Sequence, residues 1–254
     1  PGRNVTPNFY LQGMYSRYVD GIGLDSLVSE IVQKYESAYD SEKYENLSLD
    51  YADCQEKIVM RLISFEKNKK MLEETPYIPF LDMAVVFYFL ADNDQNGIAS
   101  IRITNEIMND WKTDVKELYT LASDNSKRIF EEKVMPMSKM FEEFNIDISK
   151  IRSEKANQIY EERSEPYVVT NNIGINGASV ILYPDMLREL GGDFYVLPSS
   201  IHEVLVVSAS EDVDEKSLKK MVEDINRNYL LPDEYLSDNV YKYNLIYNSL
   251  EMIA

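Results

Sequence analysis

Ser199, Ser200, His202 and Glu203 gather two hydroxyls, an imidazole and a carboxylate within five residues. These are the groups of nucleophilic acyl transfer: a hydroxyl attacks, an imidazole takes its proton, and an acid orients the imidazole. The reaction needs them to converge in space. On adjacent positions of an extended hairpin, side chains alternate between faces, so His202 and Glu203 point opposite ways and the stretch alone cannot build a triad. No G-x-S-x-G elbow supports a hydrolase elsewhere in the chain. The competing reading makes His202 a turn residue at a strand entrance.

A second candidate is Asp92-x-Asp94-x-Asn96-Gly97, which matches the first half of a calcium loop. It offers oxygen ligands at alternate positions, then the glycine that permits a sharp turn. The twelfth position should carry a bidentate carboxylate and is Ile103, and the flanks read as strands. A solvated hairpin turn is the expectation. The single cysteine, Cys54, pairs formally with the single histidine as a protease dyad, but a cysteine in an amphipathic segment more often fills a core. Zinc sites of Cys and His are excluded for lack of ligands. Carboxylate pairs such as Glu73-Glu74 and Glu161-Glu162 read as solvated faces, because acid/base work needs two acids across a cleft. Gly191-Gly192 lacks the Lys-Ser/Thr of a phosphate loop and follows a helix rather than opening one, so no cofactor is expected.

The charge balance narrows the partners. With 26 basic against 44 acidic residues the chain carries a formal −18, which repels nucleic-acid backbones and anionic lipid. The longest apolar run, Met83–Ala91, is too short to cross a bilayer as a helix, and no signal-peptide pattern is visible. One cysteine fits a reducing compartment. The expectation is a cytoplasmic protein with no membrane and no nucleic-acid partner. Its 19 tyrosines suit a protein interface as well as core edges.

Elements must position these groups. Tyr167 to Ala209 punctuates as strand, strand, helix, strand, strand, and the rest of the chain is expected to pack on it. Before it, Asn8–Leu11 reads as an edge strand. Leu24, Leu27, Val28, Ile31, Val32 and Tyr35 trace one face of a helix. A further helix is expected from about Tyr51 to Glu74, with Ile58, Leu62 and Phe65 on one side. Phe80–Ala91 and Ile98–Ile103 form a hairpin across Asn96-Gly97, with helices after Thr104 and Thr113. Met135–Glu165 is charged and weakly periodic, a helical connector. Asp212 and Glu215 are spaced to open a last helix, and Asn239–Tyr243 a last strand. Asn96–Ile103 echoes Asn176–Leu182, suggesting hairpin then helix twice.

The chain resembles an uncharacterised family of Gram-positive anaerobic bacteria, through Asn176-Gly177-Ala178, Leu182-Tyr183-Pro184, Gly191-Gly192-Asp193-Phe194-Tyr195, Leu197-Pro198-Ser199-Ser200-Ile201-His202-Glu203-Val204 and Leu236-Ser237-Asp238-Asn239-Val240-Tyr241. It is similar, more faintly, to a second uncharacterised bacillus family. The resemblance implies a bacterial, intracellular protein and brings no activity, so no catalytic residue is carried over.

The reading is therefore α+β: antiparallel sheet built from hairpins with helices packed on it, in two hairpin-plus-helix lobes. Residues 1–134 form the first part, 135–165 the connector and 166–254 the second lobe. The function expected is non-enzymatic binding of another protein. The alternatives are a hydrolase or metal-dependent enzyme using Ser199, Ser200, His202 and Glu203, with Asp92, Asp94 and Asn96 as metal candidates, or an acidic inhibitor that mimics nucleic acid.

Overall fold

The apolar run that is too short for a membrane becomes the central strand of a sheet. In the computed structural model, which describes residues 6–8, 11–38, 48–94, 97–143, 165–198, 200–209 and 214–253, this run lies in the strand Met83–Asp94. The order of elements is β1 (Thr6–Asn8), α1 (Leu11–Val19), α2 (Leu24–Ala38), α3 (Tyr51–Cys54), β2 (Ile58–Ser64), α4 (Lys69–Leu72), β3 (Tyr77–Phe80), β4 (Met83–Asp94) and β5 (Gly97–Arg102). Then follow α5 (Asn105–Asp110), α6 (Val115–Ile129), β6 (Glu132–Pro136), α7 (Met137–Glu143) and β7 (Tyr167–Asn171). A 3-10 segment (Gly177–Leu182), α8 (Met186–Glu189), β8 (Phe194–Pro198), β9 (Val204–Ser208), α9 (Glu215–Tyr229), β10 (Tyr241–Asn244) and β11 (Ser249–Met252) close the series. The class is α+β, with every strand pairing antiparallel.

Two sheets result. The first runs β1-β5-β4-β2, and β3 joins it by lying end to end with β5 along the same edge of β4. The hairpin read across Asn96-Gly97 is present, with a bulge between Leu90 and Asp92. The second sheet runs β11-β10-β8-β9-β7-β6. One buried cluster passes through both, from Ile58, Leu62, Val85 and Phe87 to Val196, Val206 and Tyr241, with Val180 and Leu118 between. Each such side chain contributes roughly 1.5–3 kcal/mol by leaving water. The far face of the second sheet is covered by α9, whose Leu218 and Val222 meet Tyr195, Leu197 and Val207.

Three expectations are corrected. Residues 51–74 are not one helix, since Ile58–Ser64 is strand β2. Three of its residues, Ile58, Val59 and Ile63, are β-branched, and both its faces are covered, so burial erases the alternation that marks a half-exposed strand. Its outer edge is closed by side chains. Met60 N–H donates to Ser126 Oγ at 3.0 Å and Leu62 N–H to Ser179 Oγ at 2.8 Å, while Asn125 donates to the Ile58 carbonyl at 3.0 Å. The second strand expected near Val180 is instead the 3-10 segment, buried at all six positions. Asn176 turns the chain with φ 52°, and the segment enters the core where Gly177 passes too close for a side chain. The echo of Asn96–Ile103 is thus one of sequence, with strand in the first copy and helix in the second. Met135 and Pro136, read as connector, end strand β6.

Thr104 caps α5 as expected, by accepting from Ile107 N–H, and α6 follows Thr113, with Asp114 as its cap. The spacing of Asp212 and Glu215 does not open α9: the helix begins at Glu215 with Asp214 in the N-cap position, so Glu215 is its first residue rather than its third, and Asp212 lies outside the described residues.

Candidate functional site

The turn Ser200–Glu203 joins β8 to β9, and it is closed from within. Ser200 is buried. Its hydroxyl donates to Glu203 Oε1 at 2.9 Å and accepts the His202 backbone N–H at 2.9 Å. Its own N–H donates to the Glu203 carbonyl at 3.2 Å. A short polar side chain folding back on neighbouring backbone is what serine does in turns.

Three other segments grip the same turn. Thr170 Oγ1 donates to the His202 carbonyl at 2.8 Å, and Ala178 N–H donates to the Ile201 carbonyl at 3.2 Å. Ile201 N–H donates to the Glu234 carbonyl at 2.9 Å. Gly177 sits against this junction. A Cβ there would stand 2.1 Å from Thr170 Oγ1, 2.4 Å from the His202 carbonyl and 2.8 Å from Asn171 N. Asn171 shapes the preceding loop by accepting from Ile173 and Gly174 N–H at 3.1 and 2.8 Å.

The half-buried imidazole of His202 reaches two groups. Nδ1 accepts the Asn176 N–H at 3.3 Å, and Nε2 lies 3.8 Å from Glu234 Oε1. With Nδ1 accepting, the neutral ring carries its proton on Nε2, toward the acid. A serine nucleophile needs its hydroxyl within about 2.6–3.2 Å of the base. Here the Ser200 proton goes to Glu203, and the accepting nitrogen of His202 is taken by backbone. The structure thus gathers Ser200, His202 and Glu203 without making a Ser–His pair, and adds Glu234. That acid is contributed by a turn 32 positions along the chain, and no local pattern in the sequence marks it.

The remaining candidates are placed as follows. Ser199 lies outside the described residues, as do Asn96 and the side chains of Asp92 and Asp94 at the end of β4. Ile103, in the twelfth position of that loop, is buried in the core. Among the described residues no group of three His, Cys, Asp or Glu side chains could hold a metal ion. Cys54 is buried; desolvation, helped by Asp53, pushes its thiol up to about 11, so at neutral pH it is a core thiol rather than a nucleophile.

A cluster not foreseen from sequence ties the sheets together. Asp82, in the turn between β3 and β4, accepts from Ser237 Oγ at 2.7 Å, Asn239 Nδ2 at 2.9 Å and the Tyr241 hydroxyl. Burial first, then the bond to Asp82, raises the Tyr241 hydroxyl well above its ordinary value, so it stays a proton donor. The cavity beside Asn176 has a volume of about 10 Å³, and another of about 20 Å³ lies beneath α9 among Leu197, Met221 and Val222. Each has room for roughly one water, far less than a substrate occupies.

The model of a family of unknown function (DUF5688) matches residues 1–245. No curated protein and no solved structure matches.

Proposed function

The chain belongs to that family, and from this premise we propose that it is a non-enzymatic interaction protein of the bacterial cytosol, binding another protein through the outward face of α1 and α2. One observation carries the reading. Leu24, Val28 and Val32 repeat every fourth residue along α2 and are 61%, 47% and 48% exposed. Residues at that spacing share one side of a helix. Tyr15, Tyr18 and Val19 of α1 are also exposed, while Met14 and Leu27 are buried and Arg17 pairs with Glu30 at 2.8 Å between the helices.

A stripe of this kind normally faces a core, and leaving it in water forgoes roughly 1.5–3 kcal/mol per side chain. A partner that covers it recovers that energy, with the aromatic rings supplying rigid contact area. The formal −18 charge favours a protein partner over nucleic acid. Ser200, His202 and Glu203 act in this reading as scaffold.

The test is affinity capture from a bacterial host that encodes the chain, with wild type and the V28D/V32D variant as baits and mass spectrometry of what each retains. A partner held by wild type and lost by the variant is expected. Identical retention by both, or retention by neither, would contradict the reading.

A further inference from the structure

A sheet edge is a row of unpaired backbone groups, and folded chains blunt it with proline, charge or side-chain caps. Four strands with a free side are blunted here. β1 is three residues long and contains Pro7, and β3 contains Pro79. On β6, Asn172 N–H donates to the Glu131 carbonyl and Met137 N–H to the Pro166 carbonyl, so the odd-numbered residues bond to β7 and the even-numbered ones face away. Pro136, which has no N–H, falls at one of the outward positions. β2 is closed by the hydroxyls of Ser126 and Ser179.

β11 carries none of these devices. It ends the second sheet, and Ser249–Met252 has no proline, no basic residue and no bulge. Ile253 N–H donates to the Val240 carbonyl at 3.0 Å, which fixes the phase of the ladder with β10. Ser249, Glu251 and Ile253 therefore bond to β10, and the N–H and C=O of Leu250 and Met252 face outward. Among the described residues these outward groups have no hydrogen-bond partner. The hairpin holding the edge is tied at its turn: Tyr247 N–H donates to Asn244 Oδ1 at 3.1 Å and the Tyr243 hydroxyl to Asn248 Oδ1 at 2.6 Å. A strand already held extended gives up little entropy when another joins it.

The side chains say what fits. Leu250 packs toward the main core, and Met252, two residues on, shares its face and is 52% exposed. Glu251 points the other way, opposite Lys242 of β10. The Lys242 ammonium instead stands 5.5 Å from the centre of the Tyr195 ring, and among the described residues Glu251 joins no ion pair. An antiparallel strand bonded to Leu250 and Met252 would face Glu251 at a non-hydrogen-bonded site, where Cα atoms stand about 4.5 Å apart and side chains are closest. A lysine or arginine there, between two apolar residues facing Leu250 and Met252, complements the edge. A second copy does not. Its own Leu250-Glu251-Met252 would set Glu251 against Glu251, in two chains of formal charge −18 each.

We propose that the outer edge of β11 takes up an extended segment of another protein, patterned apolar-basic-apolar, as an added antiparallel strand. The edge belongs to other elements than α1 and α2 and does not depend on the function assigned to them.

The experiment titrates the end-capped peptides STVKVTS and STVEVTS, separately, into the full ¹⁵N-labelled chain and follows its backbone amide resonances. STVKVTS should move the Leu250 and Met252 resonances saturably. STVEVTS should bind about fivefold more weakly, the scale of one cross-strand charge pair. M252P keeps the ladder to β10, because the Met252 N–H faces outward, and should bind neither peptide. E251K, a change at an exposed side chain, serves should M252P not fold: there the order should reverse, with STVEVTS the tighter. Leu250 and Met252 resonances that stay fixed overturn the proposal. So do equal binding of the two peptides, binding that survives in M252P, or an unchanged order in E251K. A dimer in analytical ultracentrifugation that M252P dissolves overturns it as well, because the edge would then belong to a second copy.

Discussion

The turn between β8 and β9 and the outward face of α1 and α2 invert what their residue types suggest. In the turn stand a serine, a histidine and a glutamate, and the hydroxyl, the imidazole Nδ1 and the Glu203 carboxylate are all engaged inside the fold. On the helices stand Leu24, Val28 and Val32, side chains with no chemistry, left in solvent. Reactive groups that are fully satisfied hold a structure together, whereas apolar groups left wet are available to something else.

The sharpest way to break this contrast is at Gly177. G177A forces a Cβ into the junction of Thr170, Asn171 and the His202 carbonyl, two of the three blocking atoms being backbone. A loss of about 3–5 kcal/mol in urea unfolding is expected, at the upper end for a single residue. A loss below about 1 kcal/mol would mean the junction is loose, and the scaffold reading of the turn would go with it. S200A comes next. It leaves the part-buried His202 N–H and one Glu203 oxygen without their partner, at a cost of about 1–3 kcal/mol by the same measurement.

Alkali probes the interior more broadly. Burial raises the Cys54 thiol from 9.0 to about 11 and the Tyr235 hydroxyl from 10.0 to about 12, and it raises Tyr183 and Tyr241 as well. Each group keeps its proton longer folded than unfolded, so the native state binds more protons at high pH. Stability from this source is complete below the unfolded pKa and is lost as pH climbs through the folded one. The urea midpoint should therefore fall from about pH 9 upward, first through Cys54 and then through the tyrosines. A midpoint unchanged to pH 11 would show that these side chains are not shielded.

The smallest effect on stability belongs to the helices. V28D/V32D changes two exposed positions and should shift the unfolding free energy by no more than about 0.5 kcal/mol per site. A larger loss would mean that the stripe is covered in the folded chain.

How far the residues announced all this depends on what surrounds each element. The hairpin of β4 and β5, the cap of α5 and the stripe of α9 were legible, because each leaves a local mark: Asn-Gly, a capping threonine, a 3.6-residue period. Strand β2 and the segment Gly177–Leu182 were not, because both are buried on every side and carry no period to read. Asn-Gly at Asn176-Gly177 has the same chemistry as the hairpin turn, yet the packing of Thr170 and the His202 carbonyl against Gly177 decides the outcome. Of the site, Ser200, His202 and Glu203 were visible as residue types, but their bonds were not. Glu234 and Asp82 meet their partners only through long-range packing and leave no local spacing to find.

The most direct measurement sets the two regions side by side. Partner retention is compared between S200A/H202A and V28D/V32D, each at a temperature where it is folded. Retention by S200A/H202A and loss by V28D/V32D is the predicted result. Loss by S200A/H202A with retention by V28D/V32D would contradict it, because the turn would then be the working surface and the helical stripe idle.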